Sequence, residues 1–558
     1  MLVRSSSQAA FPARVVRGCA CGKRLRPAES TPRPEEHTLS NTGTELRRAV
    51  TPWGSYAWGY ADVGADIYVA LGAVVGIAAG AANIAFGFAG LVYVCIGLAY
   101  TELAAAYPIA GGGQFFVTRA LGDFMGFIAG WAVLLDFTID ISLFAWFTVG
   151  YVSSPTLIPW LAQPGNHGWY FLCVVCVAGF LTWINVVGVR QSSRINEVVA
   201  MVDVCTETFI LGCGFLFAWQ PQLLLHTMQN HWPAADDLLK GVSFAIVSFV
   251  GLESISQAAE ETQRPSSVMP RTSVALILTI LIFALAYSNL VLGMPGVSDG
   301  HGGTTPLYAY LGDDQHNDKA IATLASLLPF VGGLLAYVVP VIGAFLLLIS
   351  SNSGVFGASR IAYSMGKYQL LPPFFQQTNR KTRTPVVTIL IFSGVALLEL
   401  VAAYMQGNQA ISFMFDLYAF GAALSYTLVF VALITLRFTD PYAPRRFRMP
   451  LNFNLTVAGR TAQVSILALV GLAGIFAILI FTLMTHPIGR IAGPSWVILG
   501  IIFFAIWRSR TRRPVFGSVK RDWVKMQENT LANAGELEML DEYRAAIAKA
   551  EPAKPASS

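Results

Sequence analysis

Nine carboxylates sit well inside long apolar stretches of the sequence: Asp62, Asp66, Asp136, Asp140, Asp203, Glu207, Glu253, Glu399 and Asp416. Asp62 and Asp66, Asp136 and Asp140, and Asp203 and Glu207 are each four residues apart, so a regular helix puts both members of a pair on one face. The same stretches contain no Lys or Arg. A charge at the centre of a bilayer costs roughly 2.5–3.5 kcal/mol on insertion scales. These acids must therefore be protonated, hydrated or bound to a cation in transit. Asp62, Asp136, Asp140, Asp203, Glu207 and Glu253 are the candidates for proton or cation coupling, whereas Glu399 and Asp416 stand alone and read as neutral, hydrogen-bonded core acids.

The elements that must hold these acids are membrane helices. Of 558 residues, 54% are hydrophobic and 12% charged, with mean hydropathy +0.56, whereas soluble domains average roughly 25% charged residues. A soluble enzyme on one anchor is excluded. About 20 apolar residues cross a bilayer, and on that rule an all-α membrane protein with twelve spans is predicted. The spans lie near 55–80, 83–106, 123–151, 169–187, 195–219, 241–262, 272–294, 321–353, 385–404, 411–436, 462–485 and 492–508. Loops after even-numbered spans carry Arg119, Arg190, Arg194, Arg264, Arg271, Arg360 and others, against Lys240, Lys319 and Arg490 on the opposite side. The positive-inside bias then places both termini in the cytoplasm of a cell or plasma membrane. Three regions are expected: a disordered basic tail over 1–50, a membrane core over 51–508, and a solvated cytoplasmic tail over 509–558.

Two spans contain interruptions. The first reads Gly59-Tyr60-Ala61-Asp62-Val63-Gly64-Ala65-Asp66-Ile67-Tyr68, the sixth Ser248-Phe249-Val250-Gly251-Leu252-Glu253-Ser254. They lie five spans apart, as expected for inverted repeats over about 55–219 and 241–436, followed by two extra helices over 462–508. Irregular backbone at membrane depth survives only inside protein or beside a watery cavity. A break frees N–H groups on one half-helix and C=O groups on the other, so one site can hold an anionic and a cationic group together.

Four stretches carry a family resemblance. They are Tyr100 through Gln114 followed by Arg119-Ala120-Leu121-Gly122; Ser248 through Glu253 leading to Ala259-Glu260-Glu261 and Arg264-Pro265; Arg360 through Met365 leading to Leu371-Pro372; and Arg383-Thr384-Pro385. Together, over about residues 55–508, the sequence resembles the amino acid–polyamine–organocation (APC) transporter superfamily. The resemblance implies a 5+5 inverted-repeat fold with broken helices 1 and 6, and alternating access driven by an ion gradient, as in a symporter. Carried over by position, it implies a substrate site of Gly64, Ala65, Asp66, Ile67, Ser248, Phe249, Val250 and Gly251, with Phe249 as an aromatic gate.

The chain departs from that family at two places. Gly64-Ala65-Asp66-Ile67 replaces the usual Gly-Ser-Gly-Ile, so Asp66 competes with a substrate carboxylate for the free N–H groups and favours a cation nearby. Aligning Asn196 with the family asparagine puts Asp203 where many proton-coupled members have a lysine. Three chemistries fit: proton-coupled import of an amino acid, transport of a cationic amine or polyamine, and proton-coupled potassium uptake. For the last, Tyr60-Ala61-Asp62-Val63-Gly64 also resembles the Tyr-Gly-Asp-Ile-Gly of potassium-uptake permeases, and Ser350, Ser351 and Ser353 could add ligands for Na+ or K+.

No GxSxG, HExxH or GxxxxGK[ST] pattern occurs. His37, His167, His226, His231, His301, His316 and His486 all fall in loops or tails, leaving the membrane interior without an imidazole base. The expectation is a carrier rather than an enzyme, with a small-molecule substrate, a coupling ion and a lipid bilayer as partners, and with no cofactor, metal centre or nucleic acid.

Overall fold

The computed structural model describes residues 51–550 apart from 110, 164, 189–192, 259–261, 263, 299–302, 380, 381, 383 and 458. The tail expected over 1–50 lies outside the described residues, as do Arg190, Ala259, Glu260, Glu261, His301 and Arg383.

Helix α1 (Pro52–Val63) starts on Thr51, whose hydroxyl accepts from the Gly54 N–H at 3.0 Å, and Pro52 fills a first-turn position that needs no N–H. Helix α2 (Ala65–Ala78) follows after Gly64 alone. Gly64 keeps φ −65° and ψ −30°, and its N–H bonds the Tyr60 carbonyl at 2.7 Å. The first interruption is therefore slighter than the unwound break expected, because the backbone never leaves helical geometry. After a turn at Ala79, φ 43°, come α3 (Ala82–Ala106), α4 (Gly112–Leu121) and α5 (Asp123–Val152). Gly111, φ 118°, turns the chain into α4, which the next two glycines open.

Helices α6 (His167–Val187), α7 (Ser193–Phe217), α8 (Pro221–Asn230) and α9 (Ala235–Ala245) lead to the second interruption. Here the helix tightens to a 3-10 turn over Ile246–Phe249, Val250 is extended at ψ 166°, and Gly251 takes φ 98° before α10 (Leu252–Ala258). Only glycine adopts that φ without strain, so this break is complete. The remaining helices are α11 (Pro265–Gly293), α12 (Leu307–Gly312), α13 (Ala320–Ser326), α14 (Gly332–Lys367), α15 (Val386–Met405), α16 (Ala410–Thr439), α17 (Ile466–Thr485), α18 (Gly489–Arg510), α19 (Trp523–Asn533) and α20 (Leu537–Ala550). Two antiparallel hairpins interrupt them, β1 (Val297–Ser298) with β2 (Thr304–Thr305) and β3 (Asn452–Val457) with β4 (Arg460–Ser465). The eighth span, expected over 321–353, divides into α13 and the longer α14.

Among the described residues, ten helical stretches are long and apolar enough to cross a membrane. Two features account for the difference from twelve: Pro52–Ala106 runs as one stretch of 55 residues, and the sixth expected span is broken into pieces too short to qualify. Helix α5 is the central pillar, packed on α4, α6, α14, α15, α16 and α18. A Cβ at Gly354 would stand 2.8 Å from Asp140 Cβ and 2.9 Å from the Phe137 carbonyl, so α14 reaches α5 this closely only with glycine there. Helices α6 and α18 present Trp169, Phe180, Trp183, Leu499 and Ile502 outward. Such a continuous apolar surface needs a bilayer to cover it, and the chain is an integral membrane protein.

The stretch after Arg510, expected to be solvated, is docked. Helices α19 and α20 share a small core of Leu531, Met539, Leu540 and Tyr543. The Asp123 carboxylate accepts from Arg508 and Arg521, both at 2.5 Å. Gln527 donates to the Ala106 carbonyl at 2.8 Å, and Glu536 accepts from the N–H and hydroxyl of Ser266 at 3.1 and 2.6 Å. At the same end Glu102, fully buried, pairs with Arg437, lies 3.5 Å from Arg445 and accepts from the Met449 N–H at 2.8 Å.

Candidate functional site

The deep carboxylates fall into two groups. Asp62 from α1, Asp66 from α2, Asp136 and Asp140 from α5, and Glu253 from α10 converge around the second break; all five are buried. Asp203 and Glu207 on α7 form a separate group on the other side of α1. The i,i+4 pairing expected from sequence holds within α5 and within α7, while Asp62 and Asp66 flank the Gly64 interruption.

In the first group, four aspartates share one pattern. Ser254, Ser350 and Ser353 stand near the Asp62 carboxyl, Val250 near Asp66, Tyr418 near Asp140, and Glu253 near Asp136. One oxygen of each aspartate, namely Asp62 Oδ2, Asp66 Oδ1, Asp136 Oδ1 and Asp140 Oδ1, is buried with no partner. Leaving a buried acceptor unmet costs about 1–3 kcal/mol, and more if it is charged. Four such atoms in one region amount to an unmet demand for donors. No Lys, Arg or His occurs on α1, α2, α3, α5 or α10 to meet it. Among the described residues, no three acidic, His or Cys side chains are close enough to hold a metal ion.

The break supplies the remaining geometry. Tyr426 on α16 accepts from the Gly251 N–H at 3.3 Å and donates to Glu253 Oε2 at 2.7 Å, fixing Glu253 against the unwound backbone. The Val250 N–H closes the 3-10 turn on the Val247 carbonyl at 3.4 Å, with the Asp66 carboxyl nearby. Phe249 stacks on Tyr93 with centroids 4.8 Å apart, and the Ser248 hydroxyl is buried without a partner. Ala65 and Ile67 are buried in the core beside these groups.

The second group is organised by tyrosines. Tyr60 lies 2.8 Å from Asp203 Oδ2 and 3.0 Å from Glu207 Oε2, and Tyr68 donates to Asp203 Oδ1 at 2.5 Å. One phenol has one hydrogen to give. Tyr60 can serve one carboxylate, and the other acid meets the phenol oxygen favourably only by donating a hydrogen of its own.

The two solitary acids are partnered. Glu399 accepts from Thr138 at 2.8 Å and Ser142 at 3.2 Å. Asp416 instead contacts His486 and accepts from the Gly489 N–H at 3.1 Å. His486 leaves its expected loop environment and is fully buried against Phe244, because the turn between α17 and α18 folds inward onto α16. The tyrosines and His486 were not among the expected site residues. Their signal in the sequence is a phenol or imidazole inside or beside an apolar span, where a polar tip needs a buried partner.

The family model described as "Amino acid permease" matches residues 55–507. Cationic amino acid transporter 4, vacuolar, of Arabidopsis thaliana is 24% identical over 419 residues, covering 73% of this chain and 66% of that one. The branched-chain amino acid permease BcaP of Bacillus subtilis is 22% identical over 406 residues, 70% of this chain and 81% of that one. The low-affinity putrescine importer PlaP of Escherichia coli is 24% identical over 416 residues, 71% of this chain and 83% of that one. The chain thus spans about two thirds of the plant relative and about four fifths of the two bacterial ones.

Proposed function

The chain belongs to the amino acid permease family, and we propose that it carries cationic amino acids or related amines across the membrane by alternating access, coupled to protons. The observation that carries this reading is the set of four unpartnered aspartate oxygens around the second break, on helices without a basic residue. An ammonium group brings three donors and a positive charge to such a place. The Asp66 carboxyl beside Val250 works against an ordinary zwitterion, because it stands where a substrate carboxylate would otherwise approach the break. Relatives named as cationic amino acid transporters and as a putrescine importer fit the same direction.

Twelve crossings fit this reading. At about 1.5 Å per residue, the 55 residues of Pro52–Ala106 extend well beyond a hydrocarbon core of about 30 Å, and the turn at Ala79 divides them into two crossings. The pieces α9, the 3-10 turn and α10 together make the sixth. Interruptions in spans 1 and 6 then occupy corresponding positions of two five-helix repeats, with Gly64, Ala65, Asp66, Ile67, Ser248, Phe249, Val250 and Gly251 at the substrate and Asp203, Glu207 and Tyr60 as a proton seat. The basic residues at one end orient both termini to the cytoplasm of a plasma-membrane carrier.

The test is uptake of labelled putrescine, arginine, leucine and rubidium into proteoliposomes under an imposed pH gradient. Saturable accumulation of putrescine or arginine is expected. Accumulation of leucine alone would replace the cation reading with a zwitterion carrier, accumulation of rubidium alone with potassium uptake, and a linear, non-saturating current with a channel.

A further inference from the structure

Helices α3 and α11 pack along one another, as do α5 and α14, and among the described residues neither pair packs appreciably on the other. The half-helix after the second break, α10, rests on α3 and α11, whereas α5 carries Asp136 and Asp140. The C-terminal segment crosses from one pair to the other. On the side of α5 and α14, the Asp123 carboxylate accepts from the Val519 N–H at 3.0 Å and from Arg521 at 2.5 Å, and Arg521 also donates to the Tyr368 carbonyl, at the end of α14, at 2.5 Å. On the side of α3 and α11, the buried Gln527 donates to the Ala106 carbonyl at 2.8 Å, and Glu536 accepts from the N–H and hydroxyl of Ser266 at 3.1 and 2.6 Å. Between the two, Trp523 meets Phe115 of α4 edge to face, with centroids 6.0 Å apart.

The two attachments differ in kind. Asp123 with Arg508 and Arg521 is a buried ionic cluster, and pulling it apart would strand charge away from water. Ala106 is the last residue of α3, and Ser266 lies in the first turn of α11. Their carbonyl and N–H are therefore helix-end groups that no turn of helix satisfies and that water can take over. Exchanging such a hydrogen bond for one to water costs little net free energy. The attachment to α5 and α14 is the fixed one, and the attachment to α3 and α11 is the releasable one.

We propose that α19 and α20 form a strap that holds the cytoplasmic end of the carrier closed, anchored at Asp123 and letting go of Ala106 and Ser266 whenever the site opens to the cytoplasm. The inference rests on the alternating-access reading and the orientation given above, in which one set of helices rocks against another around the site. Opening that end moves α10, with the α3 and α11 on which it rests, away from α5. Gln527 and Glu536 tie those helices across the gap. A segment held by ion pairs on one side and by replaceable hydrogen bonds on the other resists the motion without forbidding it. The strength of the two replaceable attachments then sets how readily the cytoplasmic end opens.

The test puts a thiol on the inner half-helix. Ser256 on α10 is buried, its hydroxyl on the Glu253 carbonyl at 2.7 Å, so the thiol introduced by Ser256→Cys reports opening at that end. Its labelling by N-ethylmaleimide is followed by peptide mass spectrometry in the purified full-length protein in detergent, with and without Gln527→Ala/Glu536→Ala. The double variant is expected to be labelled several-fold faster at the introduced thiol, while the native Cys95, fully buried on α3, keeps its unmodified rate. Glu536→Ala alone serves if the double variant does not fold. Unchanged labelling of the introduced thiol overturns the strap. Acceleration at Cys95 as well also overturns it, because the segment would then only stabilise the fold. In proteoliposomes the same variant should take up putrescine or arginine several-fold faster, and slower uptake contradicts the strap. Faster labelling of the introduced thiol, with neither protein taking up putrescine, arginine or leucine, upholds the hold on α10 and overturns the carrier reading instead.

Discussion

Gly251 presses directly on Asp62. A Cβ placed at Gly251 would stand 3.0 Å from Asp62 Oδ2 and 3.3 Å from its Cγ, and the residue holds φ 98°. The complete break before α10 and the slight one between α1 and α2 therefore touch through a carboxylate, and the unpartnered Asp62 oxygen faces the gap that the missing side chain leaves. Gly251→Ala would both strain the backbone and crowd that oxygen. Uptake of the transported substrate is expected to fall at least tenfold, with expression and membrane insertion retained; unimpaired uptake would mean that this contact is not part of the site.

The two carboxylate groups should separate in kinetics. Asp203, bonded by Tyr60 and Tyr68, lies on α7 away from the break, whereas Glu253 lies on it. Asp203→Asn is expected to reduce accumulation driven by a pH gradient several-fold while leaving substrate–substrate exchange largely in place. Glu253→Gln is expected to reduce accumulation more than exchange as well, and also to weaken binding. Equal loss of accumulation and exchange in Asp203→Asn would assign that acid to binding or folding instead.

The Glu102 clamp predicts a stability effect. Arg437→Ala leaves a fully buried carboxylate with Arg445 at 3.5 Å and the Met449 N–H as its remaining partners. Breaking one partner of a buried pair costs about 3–5 kcal/mol, so the thermal midpoint in detergent should fall by several degrees. The double variant Glu102→Gln/Arg437→Met should recover part of that loss. An unchanged midpoint in the single variant would remove the clamp from the account of stability.

Docking of the C-terminal helices has a direct readout. Asp123 gathers Arg508, Arg521 and the Val519 N–H at 3.0 Å, so Asp123→Ala leaves two arginines unmatched at once. Limited proteolysis between residues 511 and 536 should accelerate severalfold in that variant. Cleavage at the unmodified rate would mean that Glu536–Ser266 and Gln527–Ala106 hold the segment without Asp123.

How far the sequence reached depends on the kind of physics involved. Apolar length and the depth of charges are additive along the chain, so the helices and the deep acids were legible. The break at Val250–Gly251 was legible because glycine is the residue that tolerates φ 98°. The mildness of the Gly64 interruption was not, since a glycine with φ −65° obeys the helix it sits in. Division of the acids into two groups depends on how α7 and α10 pack against α1, and nothing local encodes that. The inward turn of His486 onto Asp416 and the docking of α19 and α20 are likewise long-range pairings, formed by residues that read as loop and solvated tail in isolation.

The central claim is that a cation binds among Asp62, Asp66, Asp136, Asp140 and Glu253. Asp66 tests it most directly, because its Oδ1 is buried without a partner in the first turn of α2. Equilibrium binding of putrescine to the purified protein should weaken at least tenfold in Asp66→Asn, about 1.4 kcal/mol, with the thermal midpoint preserved. Equal affinity of the two proteins for putrescine would contradict it.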